Sequence, residues 1–285
     1  MNLSNPSELK KVIEKHSFSF TKSLGQNFLI DENVLEKIVL GSGVNKNTAA
    51  LEIGPGAGVL TRELAMRSKK AVAVEIDKKL IPLLRETLAD FSNVKVINED
   101  VMKLDMKKLF AEEFENTDVA VVANLPYYIT TPVIMKLLES ECTITSITVM
   151  VQKEVAERMA AAPGGKEYGA LSVAVQFYSE PKIIAKAEPS CFIPQPKVAS
   201  SVVKMEISKN PRVNVTNKAM FFKIVKSAFG QRRKTLVNAL SKSPYVSFEK
   251  ETIINALKNL GFNESIRGEK LSLEEFAALS NALCE

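Results

Sequence analysis

Between Ala49 and Val151 the chain alternates short apolar runs with stretches of helical spacing, and that alternation constrains the fold more than any other feature. Ala49–Ile53 reads as a buried strand, followed by a glycine turn and a helix near Val59–Ser68. Ala71–Ile76 is a second strand, with a helix near Lys79–Ala89. Val94–Ile97, Val119–Ala123 and Ile147–Val151 supply three more. Apolar strands separated by helices build a parallel sheet through right-handed crossovers, so a doubly wound α/β sheet is expected. Pro181–Ala187 and Ser200–Ile207 read as two further strands around the Pro189–Pro196 loop, a hairpin that would place an antiparallel strand at the sheet edge. Beyond Asn210-Pro211 the pattern is helical, over Lys218–Phe229, Lys234–Leu240, Phe248–Leu260 and Ser272–Ala282. Two domains follow, an α/β domain over 1–208 and a small all-α domain over 209–285.

The first strand runs into Gly54-Pro55-Gly56-Ala57-Gly58. Glycines at a strand-to-helix turn let a ligand approach the backbone. The spacing is G-x-G-x-G; Val59 stands where a dinucleotide fingerprint needs its last glycine, and no Gly-Lys-Ser/Thr follows to make a phosphate loop. Glu75 sits near the end of the second strand, where an acid accepts hydrogen bonds from ribose hydroxyls, and Asp100 follows the third, where it can accept from an adenine amino group. A glycine turn, an acid and an acid at successive strand ends describe a pocket for an adenosine-containing cofactor with no phosphate requirement. S-adenosylmethionine fits it.

The fourth strand ends in Asn124-Leu125-Pro126-Tyr127. An exocyclic amino nitrogen is a poor nucleophile because its lone pair is delocalised into the ring. Two acceptors on its hydrogens, the Asn124 side-chain oxygen and the Leu125 carbonyl, would favour a tetrahedral nitrogen aimed at a methyl group. Pro126 would stiffen the turn and Tyr127 could stack on the base.

Charge points to the partner. The net charge is +5, but residues 1–208 carry 25 basic and 26 acidic residues while 209–285 carry 13 and 7. Lys209–Leu240 alone holds eight basic residues and no acid. A neutral body with a basic appendage suits a polyanion, since Lys and Arg release condensed counterions on meeting phosphates. Gln231-Arg232-Arg233-Lys234 reads as a helix opening whose cations oppose the helix dipole, a misfit that favours phosphate contact. Lys153 and Arg158 are further candidates along an RNA path. Cys142, Cys191 and Cys284 are scattered and the single histidine is His16, which argues against a disulfide framework and against a metal site. His16 is expected in an unstructured N-terminal stretch. No apolar run nears the roughly 18 residues of a membrane span, and the first twenty residues lack a continuous apolar region, so a cytoplasmic protein without membrane attachment is expected.

These motifs resemble the small-subunit rRNA adenine N6,N6-dimethyltransferases, the KsgA/RsmA family. The matching segments are Gly25–Leu29, Glu52–Gly58, Val74–Asp77, Glu99–Val101, Asn124–Tyr127, Val151–Val155, Tyr168-Gly169, Phe192–Val198, Gln231–Leu236 and Leu271–Phe276. They run in order over nearly the whole chain. The resemblance implies a class I, Rossmann-like methyltransferase fold with a small C-terminal helical domain. It implies that Gln26, Asn27 and Leu29 close over S-adenosylmethionine, that Gly54 lies against the methionine part, that Glu75 binds the ribose and Asp100 the adenine, and that Gly56, Ile76, Val101 and Asn124 complete the cofactor site. Asn124 and Tyr127 would handle the target base, with Leu125 and Pro126 between them. The family transfers two methyl groups to each of two adjacent adenosines near the 3′ end of small-subunit rRNA, on a pre-assembled subunit, and a monomer is expected. Two readings compete: an Erm-type large-subunit rRNA adenine dimethyltransferase, where an Ile is usual in place of Leu125, and an rRNA-binding assembly factor whose catalysis is dispensable.

Overall fold

The computed structural model describes residues 2–115, 117–208 and 210–284. An N-terminal helix α1 (Pro6–Lys15) precedes a short strand β1 (Phe28–Leu29) and α2 (Glu32–Ser42). The alternating region then gives β2 (Ala49–Ile53), α3 (Val59–Arg67), β3 (Lys70–Glu75), α4 (Ile81–Thr87), β4 (Val94–Asn98), α5 (Met106–Glu113), β5 (Val119–Asn124), α6 (Thr130–Leu138) and β6 (Ile144–Gln152). After it come α7 (Lys153–Met159), α8 (Ala170–Tyr178), β7 (Ser179–Ala187), β8 (Phe192–Ile193) and β9 (Ser200–Ile207). The remainder is α9 (Lys218–Gly230), α10 (Leu236–Ser241), α11 (Lys250–Asn259) and α12 (Leu273–Ala282).

The main sheet has the order β4-β3-β2-β5-β6-β9-β7. β2 pairs in parallel with β3 and β5, β3 with β4, and β5 with β6, while β9 runs antiparallel to β6. All five residues of β2 and the first five of β5 are buried, as expected of strands covered on both faces. The antiparallel strand is not at the edge, as the sequence suggested. β9 buries Ser200–Val203 and lies inside, whereas β7, whose burial is intermittent, takes the edge. A separate two-stranded ribbon pairs Phe28 with Ile193 and Leu29 with Phe192.

The chain divides into two compact units, one of residues 1–156 and 180–207, the other of 157–179 and 208–285. The segment 157–179 thus departs from a boundary at 208. Tyr168, Val173 and Phe177 are fully buried in one cluster with Phe221, Ile224, Leu236, Leu257 and Phe276, so α8 packs Val173 and Phe177 against the C-terminal helices. Lys209, the first residue of the expected second domain, lies outside the described residues.

The first unit's core holds α1, α2, α3 and α4 residues together with Ala50, Val122, Met150 and Val202 of the sheet. His16 is not in an unstructured stretch. Asn5 caps α1, and Lys15 and His16 both reach Glu86 at 2.7 and 2.9 Å. Phe18, Phe20 and Phe28 then pack together with ring centroids 5.0–6.0 Å apart, Phe18 stacked on Phe28 and Phe20 edge-on to Phe18. This aromatic knot fixes the chain just before the candidate site.

Candidate active site

The strand order reverses between β2 and β5, because the chain winds outward through β3 and β4 and returns to β5. Ligands of open α/β sheets bind at that switch point, outside the carboxyl ends of the strands. Register sets three of those ends side by side: Ile53 faces Val74 on β3 and Ala123 on β5. A cavity of about 1310 Å³, counted out to its open mouth, occupies this place. Gln26, Asn27, Leu29, Gly54, Gly56, Glu75, Ile76, Asp100, Val101, Asn124, Leu125, Pro126 and Tyr127 all line it. Every cofactor and base-handling residue expected from the sequence therefore meets in one pocket.

The glycine turn is shaped for close approach. Gly54 and Gly56 have φ of +72° and +58°, and a Cβ on Gly56 would stand 2.7 Å from the Phe28 ring. The turn also donates inward: the Gly56 N–H reaches Glu75 Oε2 at 3.2 Å, and the Asp77 N–H reaches Oε1 at 2.8 Å. Burial pushes the Glu75 pKa up to about 7, against the pull of those two backbone N–H groups. Glu52, on β2 beside it, is 2% exposed, and burial drives its pKa to about 8; the Thr61 hydroxyl opposes that shift and the Glu75 charge adds to it. Neither Glu52 Oε2 nor Thr61 Oγ1 has a hydrogen-bond partner in good geometry among the described residues. Asp100 Oδ1 accepts from the Met102 N–H at 2.9 Å, which fixes its carboxylate at the cavity edge. Val101 is buried and Ile76 is 47% exposed.

The N-terminal segment forms the opposite wall. Gln26 Nε2 donates to Asp77 Oδ2 at 2.8 Å, and its Oε1 accepts from the Thr21 N–H at 2.8 Å. Asn27 Nδ2 donates to the Gly25 carbonyl at 3.0 Å. The main-chain carbonyl of Asn27 accepts from Asn124 Nδ2 at 2.9 Å. A carbonyl can only accept, so the amide nitrogen of Asn124 is committed to this bond and its oxygen is turned away from Asn27. Leu125 is buried, its N–H bonded to the Met150 carbonyl at 3.3 Å. Pro126 and Tyr127 are half-buried, and the Tyr127 hydroxyl meets Ser200 Oγ at 3.0 Å.

Sequence reasoning missed Phe28, Glu52, Phe192 and Tyr128 as lining residues, and Ser200 as the tether of Tyr127. Glu52 had a readable signal, an acid inside an otherwise apolar buried strand. Ser200 had none, because its role depends on β9 lying next to β6.

The basic candidates stand outside the cavity. Lys153 and Arg158 are exposed on α7. Gln231–Lys234 does not open a helix. Gln231 caps the end of α9, Arg232 and Arg233 lie in the following turn, and Thr235 caps α10. Cations after a helix C-terminus suit its dipole, so the misfit inferred from sequence disappears. Arg232 is engaged locally, donating to the carbonyls of Lys166 and Tyr168 at 2.8 and 3.0 Å. Arg233 and Lys234 are exposed. Among the described residues no cluster of acids, His or Cys could hold a metal, and no helix is long and apolar enough to cross a membrane.

Residues 17–283 match the model of the ribosomal RNA adenine dimethylase family. The chain belongs to that family. It is 52% identical over 283 residues to the ribosomal RNA small subunit methyltransferase A of Alkaliphilus oremlandii (strain OhILAs), covering 99% of this chain and 98% of that protein. The protein of that name from Clostridioides difficile (strain 630) is 48% identical, covering 99% and 96%. Among solved structures, a dimethyladenosine transferase from Plasmodium falciparum superposes with a TM-score of 0.76 at 26% identity, over 88% of this chain and 95% of that one. The 23S rRNA methyltransferase ErmE follows with 0.70 at 26%, over 91% and 100%. Family membership makes this chain a methyltransferase of ribosomal RNA adenines with S-adenosylmethionine as donor. The pocket fits that donor. Glu52 and Glu75 line it with buried carboxyls, the chemistry that a cationic, ribose-bearing molecule calls for, and Glu52 Oε2 is an orphaned buried atom on the cavity wall.

Proposed function

We propose that this chain transfers methyl groups to N6 of two adjacent adenosines near the 3′ end of small-subunit rRNA, dimethylating each within a pre-assembled small subunit. The observation that carries the reading is the Asn124–Asn27 bond, which leaves the Asn124 oxygen as the acceptor for an adenine amino group. The relatives named for the small subunit, about half identical over the full chain, support the choice of subunit. Leu125, where the Erm type usually has Ile, supports it too.

When bound, S-adenosylmethionine supplies an electrophilic methyl group on a sulfonium. Glu75 would hold the ribose hydroxyls, Asp100 would accept from the adenine amino group beside Ile76 and Val101, and Gly54 and Gly56 would admit the methionine part. Gln26, Asn27 and Leu29 would wall the cofactor off from water. Asn124 Oδ1 and the Leu125 carbonyl hold the two hydrogens of the target amino group, which favours a tetrahedral nitrogen. Tyr127, braced by Ser200, replaces the stacking that the target base loses on leaving its neighbours. Positioning contributes up to several kcal/mol of barrier, beside the electrostatic cradle around the attacking nitrogen. The proton released from the methylated nitrogen passes to water, and no side chain need act as base. Lys153, Arg158, Arg233 and Lys234 contact rRNA phosphates. The protein works as a cytoplasmic monomer.

The test offers labelled S-adenosylmethionine with unmethylated small subunits or with protein-free large-subunit rRNA. Dimethyladenine is expected in the small subunit alone, and Asn124→Ala is expected to lower turnover strongly, with cofactor affinity much less affected; equal loss of both would overturn the positioning role. Label in the large-subunit rRNA would move the assignment to the Erm type. Binding to the subunit without transfer would favour an assembly factor.

A further inference from the structure

Tyr128 is an exposed lining residue that the mechanism leaves unused. It directly follows Tyr127, borders the same cavity and is 58% exposed. Its mounting is firm. The Pro126 carbonyl accepts from the Ile129 N–H at 3.2 Å and from Thr130 Oγ1 at 3.1 Å, which closes the turn that carries the ring. The main chain of Gly25 lies against the same turn: a Cβ there would meet Pro126 Cβ at 3.4 Å and Tyr128 Cδ1 at 3.9 Å. The two tyrosines are thus placed differently. Tyr127 is half-buried and tied to Ser200, whereas Tyr128 presents an aromatic ring to solvent on a fixed turn at the cavity mouth.

We propose that Tyr128 is a second stacking platform, which takes the base of the nucleotide flanking the target adenosine. The proposal rests on the RNA reading above. Drawing one base into a pocket breaks its stacking on both sides, and the neighbour left at the mouth loses an apolar face to water. An aromatic ring fixed beside the pocket restores that contact without reading sequence, because every base has a π-face. The ring lies on one turn and so meets the neighbour on one side only. Each of the two adjacent targets has a neighbour on that side, so the ring serves the methylation of both.

Tyr128→Ala and Tyr128→Phe are compared with the wild type on unmethylated small subunits, with each adenosine followed separately by primer extension. Cofactor affinity is measured by titration on the same preparations. Expected for Tyr128→Ala is a loss in kcat/KM of roughly 5- to 100-fold at each adenosine. The Kd for S-adenosylmethionine should stay within about twofold of wild type, and Tyr128→Phe should recover most of the rate. No loss at either adenosine, a loss confined to one of them, or a cofactor Kd that rises in step with the loss overturns the platform. An inactive wild type on small subunits would instead overturn the functional reading, and this proposal with it.

Discussion

Glu52 shows how much one buried side chain can tie to pH. Its carboxyl titrates near pH 8 in the folded chain because burial disfavours the charge, against about 4.5 as the ordinary value. Its folded pKa lies above its unfolded one, so between these values the folded state holds a proton that the unfolded state has lost. Stability from this group is full below about pH 4.5 and declines as pH rises toward 8, by roughly 1.4 kcal/mol per unit. Denaturant unfolding of Glu52→Gln between pH 5 and 7 should therefore show a slope less negative than wild type by about that amount. Identical slopes would mean that the carboxyl ionises normally. A bound cation reverses the balance by stabilising the ionised form, and S-adenosylmethionine, a sulfonium, should bind more tightly as pH rises across this range. The acid stood in the sequence, inside Ala49–Ile53, but its shift was not legible there. It comes from β3 and β5 closing over both sides of β2.

At the scale of elements, the glycine turn and the β1–β8 ribbon make one device. The sequence displayed Gly54–Gly58 and the acids at Glu75 and Asp100 because a strand end fixes its own neighbourhood. It did not display β1, two residues whose pairing partner Phe192–Ile193 lies more than 160 residues away. Such a strand has no periodicity of its own, only a partner. Its effect is felt at Gly56, where an added Cβ would strike the Phe28 ring on a backbone of positive φ. Gly56→Ala should push Phe28 and the Gln26–Leu29 wall outward, raise the Kd for S-adenosylmethionine at least tenfold and lower stability by about 1 kcal/mol or more. Calorimetric titration and thermal unfolding measure the two effects. Unchanged affinity would show that the wall contributes nothing to binding. The basic turn taught the opposite lesson: Gln231–Lys234 was visible as charge, but its place after α9 was hidden because Gln231 and Thr235 cap different helices.

For the whole molecule, charge and architecture part company. The basic excess lies in the C-terminal stretch, yet its three central cations are not equivalent. Arg232 holds the carbonyls of Lys166 and Tyr168, while Arg233 and Lys234 face solvent. Neutralising Arg233 and Lys234 together should flatten the salt dependence of rRNA binding, by roughly 0.7–0.9 in slope for each phosphate that the pair no longer neutralises. Arg232→Ala should act mainly through stability, since two backbone carbonyls lose their donor. Binding measured across a salt series, beside thermal melts, separates these effects. An unchanged slope in the double variant would remove both residues from the set that meets phosphate. The division of the chain at 157–179 carries a further consequence. The polypeptide leaves the sheet unit after Ala156, returns at Glu180 and leaves again after Ile207, so three covalent crossings, not one, join the units. During synthesis α8 emerges long before α9, and Phe177 and Val173 must wait for partners about 45 residues downstream. A shortened catalytic fragment ending near residue 208 would keep that waiting surface permanently, and only a fragment that also omits 157–179 would be rid of it.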